Sequence, residues 1–228
     1  MKICIDAGHN ISGFDTGAEG NGLKEQNITF PIADKLRVLL EKQGIGVVMT
    51  RPSLESNADN SSLNASLSKR AEISNYNKCD YFVSIHCNAG GGTGTETYAF
   101  SEAGEGFLLA KAVNKAITSV LPLRDRGVKT ANFGVLRMTN CPAILVETAF
   151  IDNYSDSLFL KNNQDDFARA ISDGIFEYLG VKAVTSIADM KAYIAKKCGF
   201  SNPEDVFRIL DTHPYSADLY KKWFDSYK

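Results

Sequence analysis

Histidine is scarce in this chain, with three among 228 residues. Any site that needs imidazole must draw on those few. No apolar run reaches the ~20 residues that a membrane-spanning helix needs, so membrane insertion is not expected. No positively charged segment followed by an apolar core opens the sequence, so no classical export signal is expected and synthesis in the cytoplasm is. Blocks of like charge are absent as well: 25 Lys and Arg face 27 Asp and Glu, for a net charge of −2. That balance speaks against nucleic acid as a partner. It does not exclude an anionic wall polymer, because a local groove can differ from the whole. The five cysteines (Cys4, Cys79, Cys87, Cys141 and Cys198) are odd in number. Their spacing matches neither a zinc ribbon nor a redox pair. Most lie in or beside apolar runs, where a reduced thiol acts as a small hydrophobe, so all five are read as reduced. No internal repeat is visible.

What is present has the size of one full domain plus a small appendage. Apolar runs predict strands over 2–7, 45–50, 80–86, 95–100 and 143–148. Helical spacing predicts helices over 24–43, 67–77, 106–121 and 165–179. Pro31 inside the first of these predicts a kink or a separate first turn. The Ser- and Asn-rich stretch 52–68 reads as a loop, and 126–138 as short strand and loop. Strands alternating with helices predict an α/β fold: a mostly parallel twisted sheet flanked by helices on both faces.

Near Val184 the pattern changes to a small C-terminal helical appendage, residues 185–228. Residues 186–198 carry Ile187, Met190, Ile194 and Cys198 at helical spacing. Asn202-Pro203-Glu204-Asp205 is a strong helix start, and 214–227 predicts a further helix. About forty residues form a marginal core alone, so this unit is expected to pack on the main domain, on a copy of itself or on a target. Its aromatics, Tyr215, Tyr220, Trp223, Phe224 and Tyr227, read first as core or interface and second as platforms for sugar rings.

Two histidines directly follow apolar runs: Ile3-Cys4-Ile5-Asp6-Ala7-Gly8-His9 and Tyr81-Phe82-Val83-Ser84-Ile85-His86. Glu147 ends a third, Ala143-Ile144-Leu145-Val146-Glu147. In parallel α/β sheets, ligands gather beyond the carboxyl ends of strands, where all three residues fall. Glu25 arrives from the loop that opens the first helix. Imidazole, carboxylate and imidazole form a zinc set that leaves one coordination position for water. Glu147 would take a proton from that water and hand it to a leaving nitrogen, while the metal polarises the scissile carbonyl.

Taken singly, each residue has a plainer reading. His9 could cap a helix end, His86 could bond backbone, and Glu147 could pair with Arg137 or Arg51. Cys87 follows His86, and strand alternation turns it away from any such metal. His213 reads as a loop residue. Gly90-Gly91-Gly92 lacks a following Lys-Ser or Lys-Thr and leads to a strand, so a phosphate loop is set aside.

Ile5-Asp6-Ala7-Gly8-His9, Asp15-Thr16-Gly17-Ala18 and Gly22-Leu23-Lys24-Glu25 together resemble the opening of the zinc-dependent N-acetylmuramoyl-L-alanine amidases of type 3. The resemblance continues through Thr50-Arg51, Leu67-Ser68-Lys69-Arg70, Ser84-Ile85-His86-Cys87-Asn88-Ala89, Arg126-Gly127-Val128 and Val135-Leu136-Arg137. It closes on Pro142-Ala143-Ile144-Leu145-Val146-Glu147-Thr148-Ala149-Phe150-Ile151. It implies a catalytic domain over 1–181, zinc held by His9, Glu25 and His86, and Glu147 as catalytic residue. Asn88 and Arg137 are candidate substrate contacts. The implied substrate is peptidoglycan, cut between the lactyl group of N-acetylmuramic acid and the L-alanine of the stem peptide. Asn10 stands where the family has glycine and Cys87 where it has alanine; neither removes a ligand.

With no export signal expected, the resemblance points to a phage or prophage endolysin that reaches the wall through a membrane pore. The alternative is a mother-cell autolysin of a spore former. The appendage is then expected to give wall targeting or self-association. One rival is a zinc carboxypeptidase with Arg51, Arg70 or Arg137 in a cationic pocket. Another is a wall-binding module without activity.

Overall fold

The computed structural model describes residues 1–181, 187–198, 207–208, 211 and 216–226. The elements run β1 (Lys2–Ala7), β2 (Glu19–Gly20), β3 (Leu23–Lys24), α1 (Glu25–Lys42), β4 (Gly46–Met49), α2 (Leu63–Tyr76) and β5 (Tyr81–Asn88). They continue β6 (Thr95–Ala99), α3 (Glu105–Val120), β7 (Asp125–Thr130), α4 (Gly134–Met138), β8 (Ala143–Phe150), α5 (Tyr154–Asn162) and α6 (Gln164–Leu179).

Six strands form one sheet in the order β4-β1-β5-β8-β6-β7, and β2 pairs with β3 separately. β4, β1, β5 and β8 run parallel, while β6 pairs antiparallel with β8 and parallel with β7. The reversal follows from chain length. A parallel return needs a crossover of about a dozen residues or more, and the short loop between β5 and β6 cannot supply it.

The period of two along each strand decides what each face buries. Ile3, Ile5, Val83, Ile85, Ile144 and Val146 join Leu36 of α1, Val113 of α3 and Ile171 of α6 in the larger cluster. Cys4, Phe82 and Leu145 point the other way, towards Val135 and Leu136 of α4 and Leu67 of α2. On that second face the alternation also places Asp6, Ser84, His86 and Glu147. Cys87 joins the larger cluster, facing away from His86.

Several local readings change. α2 begins at Leu63 because the Ser62 side chain accepts from the Ala65 N–H, capping a helix inside the stretch read as loop. α1 runs through Pro31 without ending. The β2–β3 hairpin and α4 lie where loop or short strand was expected, and α5 lies in a stretch for which no element was expected.

α7 (Ile187–Cys198) and α8 (Ser216–Ser226) carry a third apolar cluster of Ile194, Phe207 and Tyr220, with Met190 and Trp223 against it. The Tyr220 hydroxyl donates to the Phe207 carbonyl at 3.1 Å and to Asp211 at 2.8 Å. The helix start at Asn202, His213, Tyr215, Tyr227 and the side chain of Phe224 lie outside the described residues. All five cysteines are free. Among the described residues, no helix is long and apolar enough to cross a membrane.

Candidate metal centre

The site starts where β1 runs out. The Gly8 N–H still bonds the Ile85 carbonyl at 3.0 Å, and the chain then turns at His9 with φ of 66°. That left-handed conformation is costly for a residue with a side chain and persists only when its surroundings impose it. They do. Arg51 Nη1 donates to the His9 carbonyl at 2.7 Å, and Thr29 Oγ1 to the Gly8 carbonyl at 2.9 Å.

Asn10 is fully buried and uses both ends of its carboxamide. Nδ2 donates to the Phe14 and Asp59 carbonyls; Oδ1 accepts from the Ala58 N–H and Arg70. Asn10 therefore ties the His9 turn to the 57–60 loop. Gly8 allows a close approach: a Cβ there would lie 2.5 Å from Cε1 of the His86 ring.

Three donor atoms converge. His9 Nε2 and His86 Nδ1 each lie 3.1 Å from Glu25 Oε1 and 3.1 Å from each other. A tetrahedral ion with bonds of about 2.0–2.1 Å separates its ligand atoms by roughly 3.3 Å, so this triangle suits zinc in size as well as in donor chemistry. Glu25 is 3% exposed. Its Oε1 also accepts from the Cys87 N–H at 2.8 Å, and its Oε2 from the Ala18 N–H at 2.9 Å. Burial alone would raise its pKa, but His86 and His9 outweigh burial and hold it well below the usual carboxylate range.

Behind the triangle lies a buried ionic network. Asp15 Oδ1 sits 3.1 Å from His9 Nδ1, and Asp15 Oδ2 accepts from Ser66 at 2.6 Å and pairs with Arg70 at 3.3 Å. Arg70 also bonds Asp6 at 2.7 Å, and Asp6 accepts from Thr50 and Ser84 at 2.6 Å each. A carboxylate only accepts, so this network assigns the proton to His9 Nδ1 and turns the Nε2 lone pair to the triangle. Burial disfavours charge on His9, yet without a metal Asp15 and Glu25 raise its pKa to about 9, so a zinc ion would displace the Nε2 proton and leave the one on Nδ1. Asp15→Asn should therefore weaken zinc binding about 10- to 100-fold, measured by competition with a chelating dye. Unchanged affinity would show that Asp15 does not orient His9.

Parallel pairing sets Glu147 beside His86, and antiparallel pairing sets it opposite Glu96. Glu147 Oε2 is buried and receives no hydrogen bond. Burial raises the Glu147 pKa to about 7; His86 opposes this, while Glu25 and Glu96 add to it. The triangle and Glu147 line a cavity of about 420 Å³, together with Asn88 and an apolar wall of Leu63, Leu67, Phe133, Val135 and Leu145.

The structure thus brings His9, Glu25, His86, Glu147 and Asn88 together. It places Arg137 elsewhere: Arg137 lines a separate cavity of about 260 Å³ and donates to Asn132 Oδ1 at 2.8 Å. Neither Arg137 nor Arg51 pairs with Glu147. Arg51 and Arg70 are buried at 0% and 1% exposure, held by backbone carbonyls and carboxylates. Arg51 does not line the cavity of the triangle, and Arg70, which does, is already paired with Asp6 and Asp15, so neither offers the free cation that a carboxypeptidase pocket would need. Asp15 and Glu96 were given no role from sequence, and Arg70 only that of a cation in the rival pocket. Asp15 stood inside a quoted motif, but nothing in its spacing marks it as the partner of His9.

A family model described as N-acetylmuramoyl-L-alanine amidase matches residues 3–177. The amidase CwlM of Bacillus licheniformis is 41% identical over 177 residues, covering 76% of this chain and 65% of that protein. The sporulation-specific N-acetylmuramoyl-L-alanine amidase of Bacillus subtilis is 36% identical over 199 residues, covering 85% and 74%. The endolysin of Bacillus phage SPP1 is 36% identical over 191 residues, covering 79% and 66%. The chain thus spans about two thirds to three quarters of the length of these relatives. The crystal structure of an N-acetylmuramoyl-L-alanine amidase from Clostridium difficile 630 superposes with a TM-score of 0.69 at 37% identity, covering 79% of this chain and 97% of that one. With the match spanning most of its length, the chain belongs to the N-acetylmuramoyl-L-alanine amidase family.

Proposed function

We propose that this chain is a zinc-dependent peptidoglycan amidase. It cleaves the amide between N-acetylmuramic acid and the L-alanine of the stem peptide, with His9, Glu25 and His86 as metal ligands and Glu147 as general base and acid. The observation that carries this reading is the triangle of donor atoms with 3.1 Å edges in the same cavity as a buried carboxylate oxygen that has no donor. When bound, zinc supplies a Lewis acid that polarises the scissile carbonyl and makes a water nucleophilic near neutral pH.

The remaining work falls to the chain. Glu25 stays ionised between two imidazoles, and Asp15 keeps the His9 lone pair turned to the cluster. Glu147 Oε2 takes the proton of the attacking water and passes it to the leaving nitrogen. Digestion of purified peptidoglycan tests the reading. New N-terminal alanine without new reducing sugar ends is expected, and new reducing ends would make the protein a glycosidase.

The biological setting we propose is cell lysis as an endolysin, supported by the similarity to the SPP1 phage protein. The similarity to the sporulation-specific amidase, which covers more of this chain, supports a mother-cell autolysin as a second reading. Comparable rates on vegetative and mother-cell walls fit the first; cleavage confined to mother-cell walls fits the second.

We further propose that residues 185–228 form a separate small domain for wall targeting. The family match ends at 177, and among the described residues the third apolar cluster draws on Met190 and residues after it. Removing 185–228 is then expected to lower co-sedimentation with walls while leaving cleavage of a soluble muropeptide unchanged. Unaltered sedimentation would refute the targeting role.

A further inference from the structure

Glu96 is a buried carboxylate that the proposed reaction does not use. It is 2% exposed. Its Oε1 accepts from Asn88 Nδ2 at 2.7 Å and from the Tyr98 hydroxyl at 2.8 Å. Its Oε2 accepts from Arg126 Nε at 2.6 Å and from Lys129 Nζ. Two cations compensate one carboxylate that would otherwise be costly to bury.

The sheet explains why this assembly stands beside the reaction. His86 and Glu147 are register partners on β5 and β8, and Glu147 and Glu96 on β8 and β6. Partners opposite each other share a face, so His86, Glu147 and Glu96 form one row across the sheet. Asn88, two residues beyond His86, reaches Glu96 and also lines the cavity with Glu147.

The oxygen and nitrogen of a carboxamide are nearly the same in shape, so the surroundings must decide which faces where. Glu96 can only accept, which claims Nδ2. The Ala89 N–H can only donate, and it bonds Oδ1 at 2.9 Å. Both ends are therefore assigned. One Nδ2 hydrogen and one Oδ1 lone pair are left over, a donor and acceptor pair complementary to a peptide group.

We propose that Glu96 is a positioning residue: it locks the Asn88 carboxamide in one orientation so that Asn88 binds a peptide group of the stem beside the scissile amide. The substrate named here rests on the amidase reading above. Arg126 and Lys129 hold Glu96 in place. Glu96→Gln keeps the size but adds its own amide, which no longer dictates which end of Asn88 it meets.

The test is a double-mutant cycle on the zinc-loaded protein with a soluble muropeptide: wild type, Glu96→Gln, Asn88→Ala and the pair. Asn88→Ala is expected to raise KM about tenfold, the loss of one good hydrogen-bonded contact, with kcat little changed. Glu96→Gln is expected to raise KM comparably, and to add nothing once Asn88 is alanine. An equal effect of Glu96→Gln in both backgrounds, or a loss confined to kcat, overturns the proposal. If Glu96→Gln does not fold, Arg126→Gln serves instead, with a smaller KM rise that again vanishes beside Asn88→Ala.

A wild type that cleaves no muropeptide refutes the amidase reading and leaves the orientation to be decided by NMR. The Asn88 side-chain ¹⁵N–¹H₂ signals should show one exchange-protected, downfield hydrogen that Glu96→Gln removes. Signals unmoved by Glu96→Gln overturn the positioning role.

Discussion

Glu147→Gln is expected to lower kcat for amide cleavage about 10²- to 10⁴-fold, the range typical of a lost general base and acid. It should leave zinc binding intact, because Glu147 contributes no atom to the three-membered ligand group. Glutamine nearly matches glutamate in volume, so the strand pairing of β8 with β5 and β6 should survive. What disappears is the ability of Oε2 to accept a proton. Turnover number, zinc content and thermal midpoint, measured side by side, separate these effects. A kcat within a few-fold of wild type would remove Glu147 from the chemistry. A loss of zinc would make it part of the metal site instead.

His86→Ala is expected to abolish both zinc retention and activity. Two ligands remain, and Glu25 Oε1 still bonds the Cys87 N–H, so the fold should hold while the metal does not. The ring packs against the bare backbone of Gly8 and the far end of Glu25. Removing it opens the triangle on one side, and a site with two protein ligands lacks the set of three that a catalytic zinc requires. Elemental analysis after gel filtration reads the result. One zinc per chain in this variant would mean that His86 is not a ligand.

Much of this was legible in the sequence for a simple reason. Buried strands are short apolar runs, and His9, His86 and Glu147 stand just where three of those runs end, although β5 and β8 themselves continue to Asn88 and Phe150. The alternation of side chains even assigned Cys87 to the opposite face, where it packs in the larger cluster. The reversal of β6 was less visible, although the short link after β5 already forbade a parallel return.

What escaped depends on contacts between distant segments. Arg70 reaches Asp6 across 64 positions and Asp15 across 55, and Asn10 reaches the carbonyl of Asp59 across 49. No local pattern encodes these partners. Arg137 shows the converse. It sits in a motif beside residues of the site, but α4 turns successive side chains apart. Val135 faces the cavity of the triangle, while Arg137 faces another. The start of α2 was hidden because Ser62 lies in a Ser- and Asn-rich stretch, where only the bond to Ala65 marks it as a cap.

The central claim is that zinc held by His9, Glu25 and His86 works with Glu147 to cleave the muramoyl amide. The most direct test strips the protein with a chelator, adds zinc in measured equivalents and follows the release of N-terminal alanine from peptidoglycan. Release should rise in proportion to zinc and level off at one equivalent, and Glu147→Gln should bind the same equivalent without release. Alanine release that persists in excess chelator, or that ignores added zinc, would contradict it.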